Sequence, residues 1–185
     1  MSYEHLTGGA HALTGWLRTL RIIVFALVMG VATYAGFVIS QNLGKPHTLG
    51  TGLNSTGIVM LVGGLVALVL GFVVPSFVLA TGNLPTNPPP GLTPERMKMV
   101  TPELVRLDSI LQRLQSSTII AGALFEGGAF ANLFSYSQTR ELLHLILGCV
   151  LILAIASLFP TSARAQQRVD EMLRRAKDED SFARS

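Results

Sequence analysis

The sequence predicts an all-α integral membrane protein: a bundle of four transmembrane helices, with a long third helix extending into the cytoplasm and a helical C-terminal tail. Of its 185 residues, 49% are hydrophobic and only 14% are charged, whereas soluble domains carry about a quarter charged residues. Four apolar segments are long enough to cross the ~30 Å hydrocarbon layer of a bilayer. The charged residues lie almost entirely between and beyond these segments.

The first transmembrane helix is predicted at residues 22–42, a stretch without any charged residue. It follows a cytoplasmic N-terminal segment, residues 1–21, that ends with Arg18 and Arg21. Two arginines before an apolar run also resemble the start of a signal peptide. The long leading segment and an apolar run beyond the usual 7–15 residues favour a retained helix instead. Residues 43–56 are predicted to form an outer loop, because glycine and proline interrupt this stretch.

The second transmembrane helix is predicted at residues 57–81. Pro75 lies inside it and removes a hydrogen bond to the carbonyl of Gly71, so we expect a kink there. Small residues recur at helical spacing and predict that another helix backbone approaches closely on that face: Gly63, Gly64, Ala67 and Gly71.

Residues 82–117 are predicted to form a cytoplasmic proline-rich loop and an amphipathic helix. Thr93 and Thr101 each begin a Thr-Pro-Glu triplet, which is typical of a helix start. Four leucines then share one helix face: Leu104, Leu107, Leu111 and Leu114. No helix-breaking residue separates this face from the third transmembrane helix at residues 118–137. The sequence therefore predicts one helix over 102–137, ~54 Å long at ~1.5 Å per residue.

The rest of the chain is predicted to form an outer turn (138–141), a fourth transmembrane helix (142–159) and a cytoplasmic tail helix (160–185). Twelve of the 14 lysines and arginines lie in the N-terminal segment, the middle loop and the tail, and only Lys45 and Arg140 lie on the other side. Because basic residues are retained on the cytoplasmic side, we expect a multi-pass protein of the cytoplasmic (inner) membrane with both termini in the cytoplasm.

Glu126 is the candidate site residue, since it lies in the middle of the third span, ~15 Å from either surface. An ionisable residue at this depth indicates a functional site, and lipid favours its protonated form. Gly122 and Gly127 leave room around it for another helix, and Asn132 follows on the same helix. The preferred interpretation is intramembrane packing, with hydrogen bonds from Thr33, Tyr34, Ser40 or Ser76. Proton or ion handling and self-association remain alternatives.

The stretch IIAGALFEGGAF around Glu126 resembles the carboxylate-bearing helix of rotary ATPase proteolipids, the c-subunit family. That resemblance implies a helix in which Glu126 exchanges a proton or a sodium ion. The family has a short polar loop and a more regular glycine helix than this chain. The chain as a whole resembles a group of small uncharacterised bacterial four-span membrane proteins with an LxEGxAFxNL-like third helix, which implies a fold and a membrane location.

Other combinations of polar residues carry weaker signals. Glu141 and His144 have the i, i+3 spacing of metal ligands but no evident third ligand, so a pair of membrane-interface residues is favoured. Asn132, Ser135 and Tyr136 suit either a polar path from Glu126 or, as favoured, interface anchors. No cofactor, metal or nucleic-acid partner is expected. The expected partners are the lipid bilayer and, through self-association or the charged segments, a membrane or cytosolic protein.

These observations predict a non-enzymatic membrane protein that acts through helix packing or partner contacts. No nucleophile–base pair is visible in the sequence. The alternative is a proteolipid-like subunit that handles protons or sodium ions with Glu126 as the carrier.

Overall fold

The computed structural model describes residues 9–50, 54–80 and 102–182, and these residues are almost entirely helical. The helices are α1 (Gly9–Asn42), α2 (Ser55–Ala80), α3 (Pro102–Thr139), α4 (Leu142–Ser157) and α5 (Ser162–Phe182). Within the described residues, extended backbone pairs only at an isolated parallel bridge between Thr48 and Glu141. The all-α prediction is confirmed.

The helix boundaries follow the sequence pattern closely. The predicted uninterrupted helix over 102–137 is α3, which runs two residues further. The predicted tail helix is α5, whose first turn is capped by Thr161: the backbone N–H of Arg164 donates to its Oγ1 at 3.4 Å. Because α1 begins at Gly9, much of the predicted N-terminal segment is helical and continuous with the apolar run. The proline-rich loop and the Thr-Pro-Glu triplet at Thr93 lie outside the described residues, as do residues 51–53 of the outer loop. Of the second triplet, Thr101 also lies outside them, and Pro102 is the first residue of α3.

Three helical stretches are long and apolar enough to cross a membrane: Leu13–Asn42, Ser55–Leu79 and Leu104–Thr139. A fourth is counted when α4 and α5 are taken together across the break between them. Taken alone, α4 has only 16 residues. Its sequence is apolar throughout apart from His144, and Leu158 and Phe159 continue it before Pro160.

The chain divides into two compact units. The apolar unit comprises Ile22–Val78 and Ser117–Phe159, and the charged unit comprises Met1–Arg21, Leu79–Ser116 and Pro160–Ser185. Both α1 and α3 contribute one part to each unit.

Three helices supply the core of the apolar unit at helical spacing, with α3 at its centre. Ala121, Phe125, Ala129 and Leu133 follow one another at intervals of four residues on α3, and all four are completely buried. Residues of α1 and α4 pack on them and complete the core: Val31, Ala35, Leu147, Leu151, Ala154 and Ile155. Because the four α3 residues share one face, that face sets the position of its neighbours.

Helix α2 packs through glycines, which let its backbone approach α3. A Cβ added at Gly71 would overlap the ring of Phe125, and one added at Gly64 would overlap the amide of Asn132. On α3, a Cβ at Gly128 would come within 2.9 Å of the Cβ of Ala67. The predicted close approach therefore occurs at these positions, whereas Gly63 faces open space.

Pro75 does not end α2, which continues to Ala80. One residue later, Ser76 donates its hydroxyl to the carbonyl of Phe72 at 3.3 Å. A side-chain donor of this kind offers the last turns of the helix a hydrogen bond beside the position where proline supplies no N–H.

The charged unit has a core of its own. Leu107, Leu111 and Leu114 of α3 are buried there together with Ile110, while Leu104 is half-buried. They pack with residues of α1 and α5: Leu13, Leu17, Ala165 and Val169. The leucine face predicted for α3 therefore contacts protein, and so does the narrow apolar stripe of α5.

The contact between Gly71 and Phe125 leads to a stability prediction. We expect Gly71→Ala to lower the free energy of unfolding by about 1–3 kcal/mol, because the added methyl group overpacks a site filled by a completely buried ring. Gly63→Ala is the matched control, since it adds the same group to the same helix in open space. Thermal unfolding in detergent measures both, and equal stability of the two variants would contradict the close contact.

Candidate functional site

Five polar side chains form a cluster in the apolar unit, at the end of α3 and the start of α4. This polar cluster comprises Thr48, Asn132, Ser135, Glu141 and His144. Asn132, Glu141 and His144 are completely buried, and Ser135 is only 6% exposed. Unpaired polar groups are costly at such burial, so the hydrogen bonds of each residue show what the cluster does.

The cluster forms because the chain reverses sharply after α3. Arg140 adopts a left-handed backbone conformation with φ of 57°, and its N–H donates to the carbonyl of Tyr136 at 2.8 Å. A left-handed residue directly after the last turn is a common way for a helix to end. The chain then enters α4 two residues later, which places the first turn of α4 beside the last turns of α3.

Asn132 joins three helices through its amide group. Its Nδ2 donates to the carbonyl of Met60 on α2 at 3.1 Å and to the carbonyl of Gly128 on α3 at 2.9 Å. Its Oδ1 lies 3.0 Å from Nδ1 of His144 on α4. Because both donors of the amide are used, Oδ1 is the acceptor, and Nδ1 of His144 carries the proton.

His144 has both ring nitrogens engaged. With Nδ1 protonated, Nε2 of the neutral imidazole is an acceptor, and Ser135 lies 3.0 Å from it with its hydroxyl as donor. If His144 took up a second proton, Nε2 would donate to the same hydroxyl oxygen. The heavy atoms are therefore placed for either protonation state, with only the serine proton reoriented.

The order hydroxyl, imidazole and amide oxygen is that of a nucleophile, a base and the group that orients the base. The sequence did not show this pair, because Ser135 and His144 lie on two different helices that the fold brings together. Catalysis also needs a substrate to reach the hydroxyl, and only 6% of the surface of Ser135 is exposed. In this arrangement the three side chains hold helices together.

Glu141 holds the segment that follows α1. One carboxylate oxygen accepts the hydroxyl of Thr48 at 2.6 Å, and the other accepts the backbone N–H of Gly50. Two backbone bonds reinforce this contact, from Thr48 N–H to Arg140 at 3.2 Å and from Leu142 N–H to Thr48 at 3.0 Å. The carboxylate therefore ties the segment around Thr48 to the turn between α3 and α4.

Tyr136 extends the same contact. Its hydroxyl lies 3.3 Å from Nδ1 of His47, and the two rings stack with centroids 5.9 Å apart. Tyr136 is buried, whereas His47 is exposed. The interpretation of Asn132, Ser135 and Tyr136 as interface anchors is wrong, because all three are enclosed by protein.

Glu126 lies apart from the polar cluster. Its Oε1 faces Gly30 of α1, 4.0 Å from where a Cβ would be, and the residue is half-buried. No hydrogen bond or ion pair joins its carboxylate to another described residue. Two of the partners proposed for it are engaged within their own helices, since Ser40 donates to Phe37 at 2.8 Å and Ser76 to Phe72.

The other sequence-predicted site residues separate onto different faces of α3. Gly122 is buried, and a Cβ there would come within 2.8 Å of the side chain of Leu27 on α1. Gly127 is exposed and faces open space. Asn132 belongs to the polar cluster and not to the surroundings of Glu126. Of the four candidates, Glu126 and Gly122 both face α1.

Sequence reasoning missed Glu141 and His144 as interior residues. Their i, i+3 spacing is that of metal ligands, but the favoured interpretation was a pair of membrane-interface residues. In the structure His144 bonds Asn132 and Ser135, and Glu141 bonds the segment at Thr48. The described residues contain no group of three or more His, Cys, Asp or Glu side chains that could hold a metal ion. A usable signal was the recurrence of Asn132, Ser135 and Thr139 on one side of the last turns of α3.

Comparison with protein-family models, curated proteins and solved structures finds no match for this chain. Its function therefore has to be inferred from the geometry of its own residues.

The hydrogen bonds of Glu141 lead to a dynamic prediction. We expect Glu141→Gln to speed amide exchange at Gly50 and Leu142 by about 10–100-fold, because the new amide nitrogen cannot accept a hydrogen bond and bonds to charged groups contribute about 1.5–3 kcal/mol. Hydrogen–deuterium exchange with mass spectrometry measures this. Thr48→Ser keeps the hydroxyl donor and serves as the control, so unchanged exchange in Glu141→Gln would contradict the role of the carboxylate.

Proposed function

We propose that the chain is a multi-pass protein of the cytoplasmic membrane with a non-enzymatic role. In this proposal α1, α2, the second part of α3 and α4 form a four-helix transmembrane bundle, and the charged unit lies in the cytoplasm. The protein acts by helix packing and by the contacts that the charged unit offers to a partner. The observation that carries the membrane placement is the exposed surface of α2.

Helix α2 buries only a narrow face. Its buried residues Gly57, Gly64 and Gly71 recur every seven positions, while most of its large apolar side chains are exposed. Exposed ones occur along the whole helix: Ile58, Val59, Val62, Leu65, Val66, Val69, Leu70, Phe72, Val73 and Phe77. Soluble monomers rarely expose apolar patches beyond a few hundred Å². In lipid hydrocarbon, unlike in water, exposing these apolar side chains carries no free-energy penalty.

The interior of the apolar unit agrees with that environment. Polar groups inside a bilayer must be satisfied by the protein itself, and the polar cluster pairs its side chains with one another and with backbone groups. Helix α4 is ~24 Å long at ~1.5 Å per residue. This is slightly less than the ~30 Å layer, a mismatch that local thinning accommodates at modest cost.

The burial of Ser135 and His144 supports a non-enzymatic role. Two hydroxyl–imidazole pairs occur among the described residues: Ser135 with His144, which are both enclosed, and the phenol of Tyr136 with His47, which is exposed. A substrate would reach Ser135 only if the ends of α3 and α4 separated. Both residues already have a structural role. His144 on α4 bonds to Ser135 and Asn132 on α3, and Asn132 in turn bonds to α2.

The proposed topology predicts opposite accessibility at two exposed positions, Lys45 and Arg168. In a Cys149→Ser background, we expect Lys45→Cys to react with a membrane-impermeant maleimide on intact cells or right-side-out vesicles. Arg168→Cys should react only after the membrane is permeabilised. Labelling of both positions from the same side would contradict the proposed topology, and recovery of the protein in the soluble fraction would contradict membrane insertion.

Proton or sodium-ion handling by Glu126 is the second candidate, and one observation favours it. Glu126 is half-buried, and its carboxylate has no hydrogen-bond or ion-pair partner in the described part of the chain. An acid that only held helices together would be expected to bond to a neighbour. The packing interpretation thus loses the hydrogen bonds on which it depended, and a carboxyl open to exchange remains.

Carbodiimide labelling tests this second candidate, because the reagent modifies protonated carboxyls within lipid. We expect label at Glu126 that declines as pH rises and is lost in Glu126→Gln. Glu141 is the internal control, since its oxygens are occupied by Thr48 and Gly50 and its surface is enclosed. Peptide mass analysis locates the label. Unlabelled Glu126 at every pH, or unchanged proton and sodium fluxes in Glu126→Gln vesicles, would exclude the carrier role.

A further inference from the structure

Among the described side chains of the charged unit, arginines outnumber acidic residues. These side chains include seven arginines and three acids, with no lysine: Arg18, Arg21, Arg106, Arg113, Arg164, Arg168 and Arg174 against Asp108, Asp170 and Glu171. Five of the arginines are exposed and have no carboxylate partner among the described residues, and four of these five lie on α1 and on the first two turns of α5: Arg18, Arg21, Arg164 and Arg168. These four are called the arginine collar below.

The collar lies where α1 meets the start of α5 within the charged unit. Nε of Arg21 donates to the carbonyl of Pro160 at 3.2 Å, and α5 begins two residues after Pro160. Arg18 precedes Arg21 by three residues, and Arg164 precedes Arg168 by four, so each pair shares one side of its helix. The bond to Pro160 thereby places two pairs of cations on neighbouring helices.

The bond to Pro160 also holds the Arg21 guanidinium in position. It uses the Nε–H and leaves the two Nη groups as donors, in a planar fork that matches the oxygens of a phosphate. Fixing an arginine in advance reduces the side-chain entropy lost when it binds a ligand. The site therefore suits a phosphate-bearing ligand better than a mobile surface arginine does.

The position of Arg18 and Arg21 along α1 indicates that the phosphate belongs to a lipid headgroup. The charge-free run of α1 begins at Ile22, and Arg21 and Arg18 precede Ile22 by ~1.5 and ~6 Å along this helix. The headgroup layer on each side of a bilayer is about 5–8 Å thick, given an apolar core of ~30 Å and a total of about 40–45 Å. Both arginines therefore fall at headgroup level once the apolar unit is inserted.

We propose that the arginine collar binds the headgroups of anionic phospholipids in the leaflet that faces the charged unit. This inference rests on the membrane insertion proposed above. The phosphodiester accepts hydrogen bonds from the guanidinium groups, and the net negative charge of the lipid complements four arginines that have no carboxylate partner among the described residues. A zwitterionic lipid offers the same phosphate but lacks the net charge, so the collar should select phosphatidylglycerol over phosphatidylcholine.

The test uses the full-length chain in bilayers of equal parts phosphatidylglycerol and phosphatidylcholine. The protein is solubilised mildly, and the retained lipids are quantified by mass spectrometry. We expect retained phosphatidylglycerol to exceed phosphatidylcholine, and the ratio to fall at least about fivefold in Arg21→Gln/Arg164→Gln. Fivefold corresponds to the ~1 kcal/mol contributed by one basic residue near an anionic surface.

The control Lys45→Gln/Arg174→Gln removes the same charge from exposed positions outside the collar. This control should leave the lipid ratio within about twofold of the wild type. An equal fall of the ratio in both variants would show that only the total charge matters, and it would contradict a specific site at the collar. Arg21→Lys/Arg164→Lys keeps the charge without the fork and should give an intermediate ratio.

Flotation of the reconstituted protein with vesicles separates the two levels of the proposal. A protein that does not float contradicts membrane insertion. A protein that floats but retains both lipids equally leaves insertion standing and overturns lipid selection by the collar. Since Arg21 also bonds to Pro160, thermal unfolding of each variant in phosphatidylcholine alone checks that the fold is retained, and Arg18→Gln/Arg168→Gln provides a second test if it is not.

Discussion

The apolar unit depends on the hydrogen bonds of one amide, that of Asn132. Its two donors and its oxygen bond to α2, to its own helix and to α4. The bond to Met60 requires the backbone of α2 to come close, which is possible because position 64 is glycine: a side chain there would occupy the place of the amide. The asparagine and the glycine therefore depend on each other, and together they fix how α2 is aligned along α3.

A second constraint acts on the segment between α1 and α2. Glu141 is completely buried, and a buried carboxylate is stable only when several donors satisfy it. Thr48 and Gly50 supply such donors from a segment that contributes no apolar core. In the apolar unit, hydrogen bonds thus hold the segment between α1 and α2, while glycine contacts and the buried face of α3 hold the helices together.

The sequence was sufficient to predict the helices but not the contacts of their polar residues. Apolar periodicity and the lack of breakers located α3 to within two residues, since both depend on local properties. The sequence could not show that Gly64 contacts α3 while Gly63 faces open space, because a stripe of small residues does not indicate which of them faces the neighbouring helix. His144 and Ser135 seemed to belong at a membrane interface, because nothing local shows that the left-handed Arg140 brings α4 against the end of α3.

Helix α3 carries two polar residues, Asn132 and Glu126, whose surroundings differ. Asn132 is enclosed and fully bonded, so its replacement disturbs three helices. Glu126 lies six residues earlier on another face, against Gly30, with no bond to a described residue. Removing its charge therefore breaks no contact of the polar cluster. The hydrogen bonds that align α3 with α2 and α4 come from Asn132, and Glu126 takes no part in them.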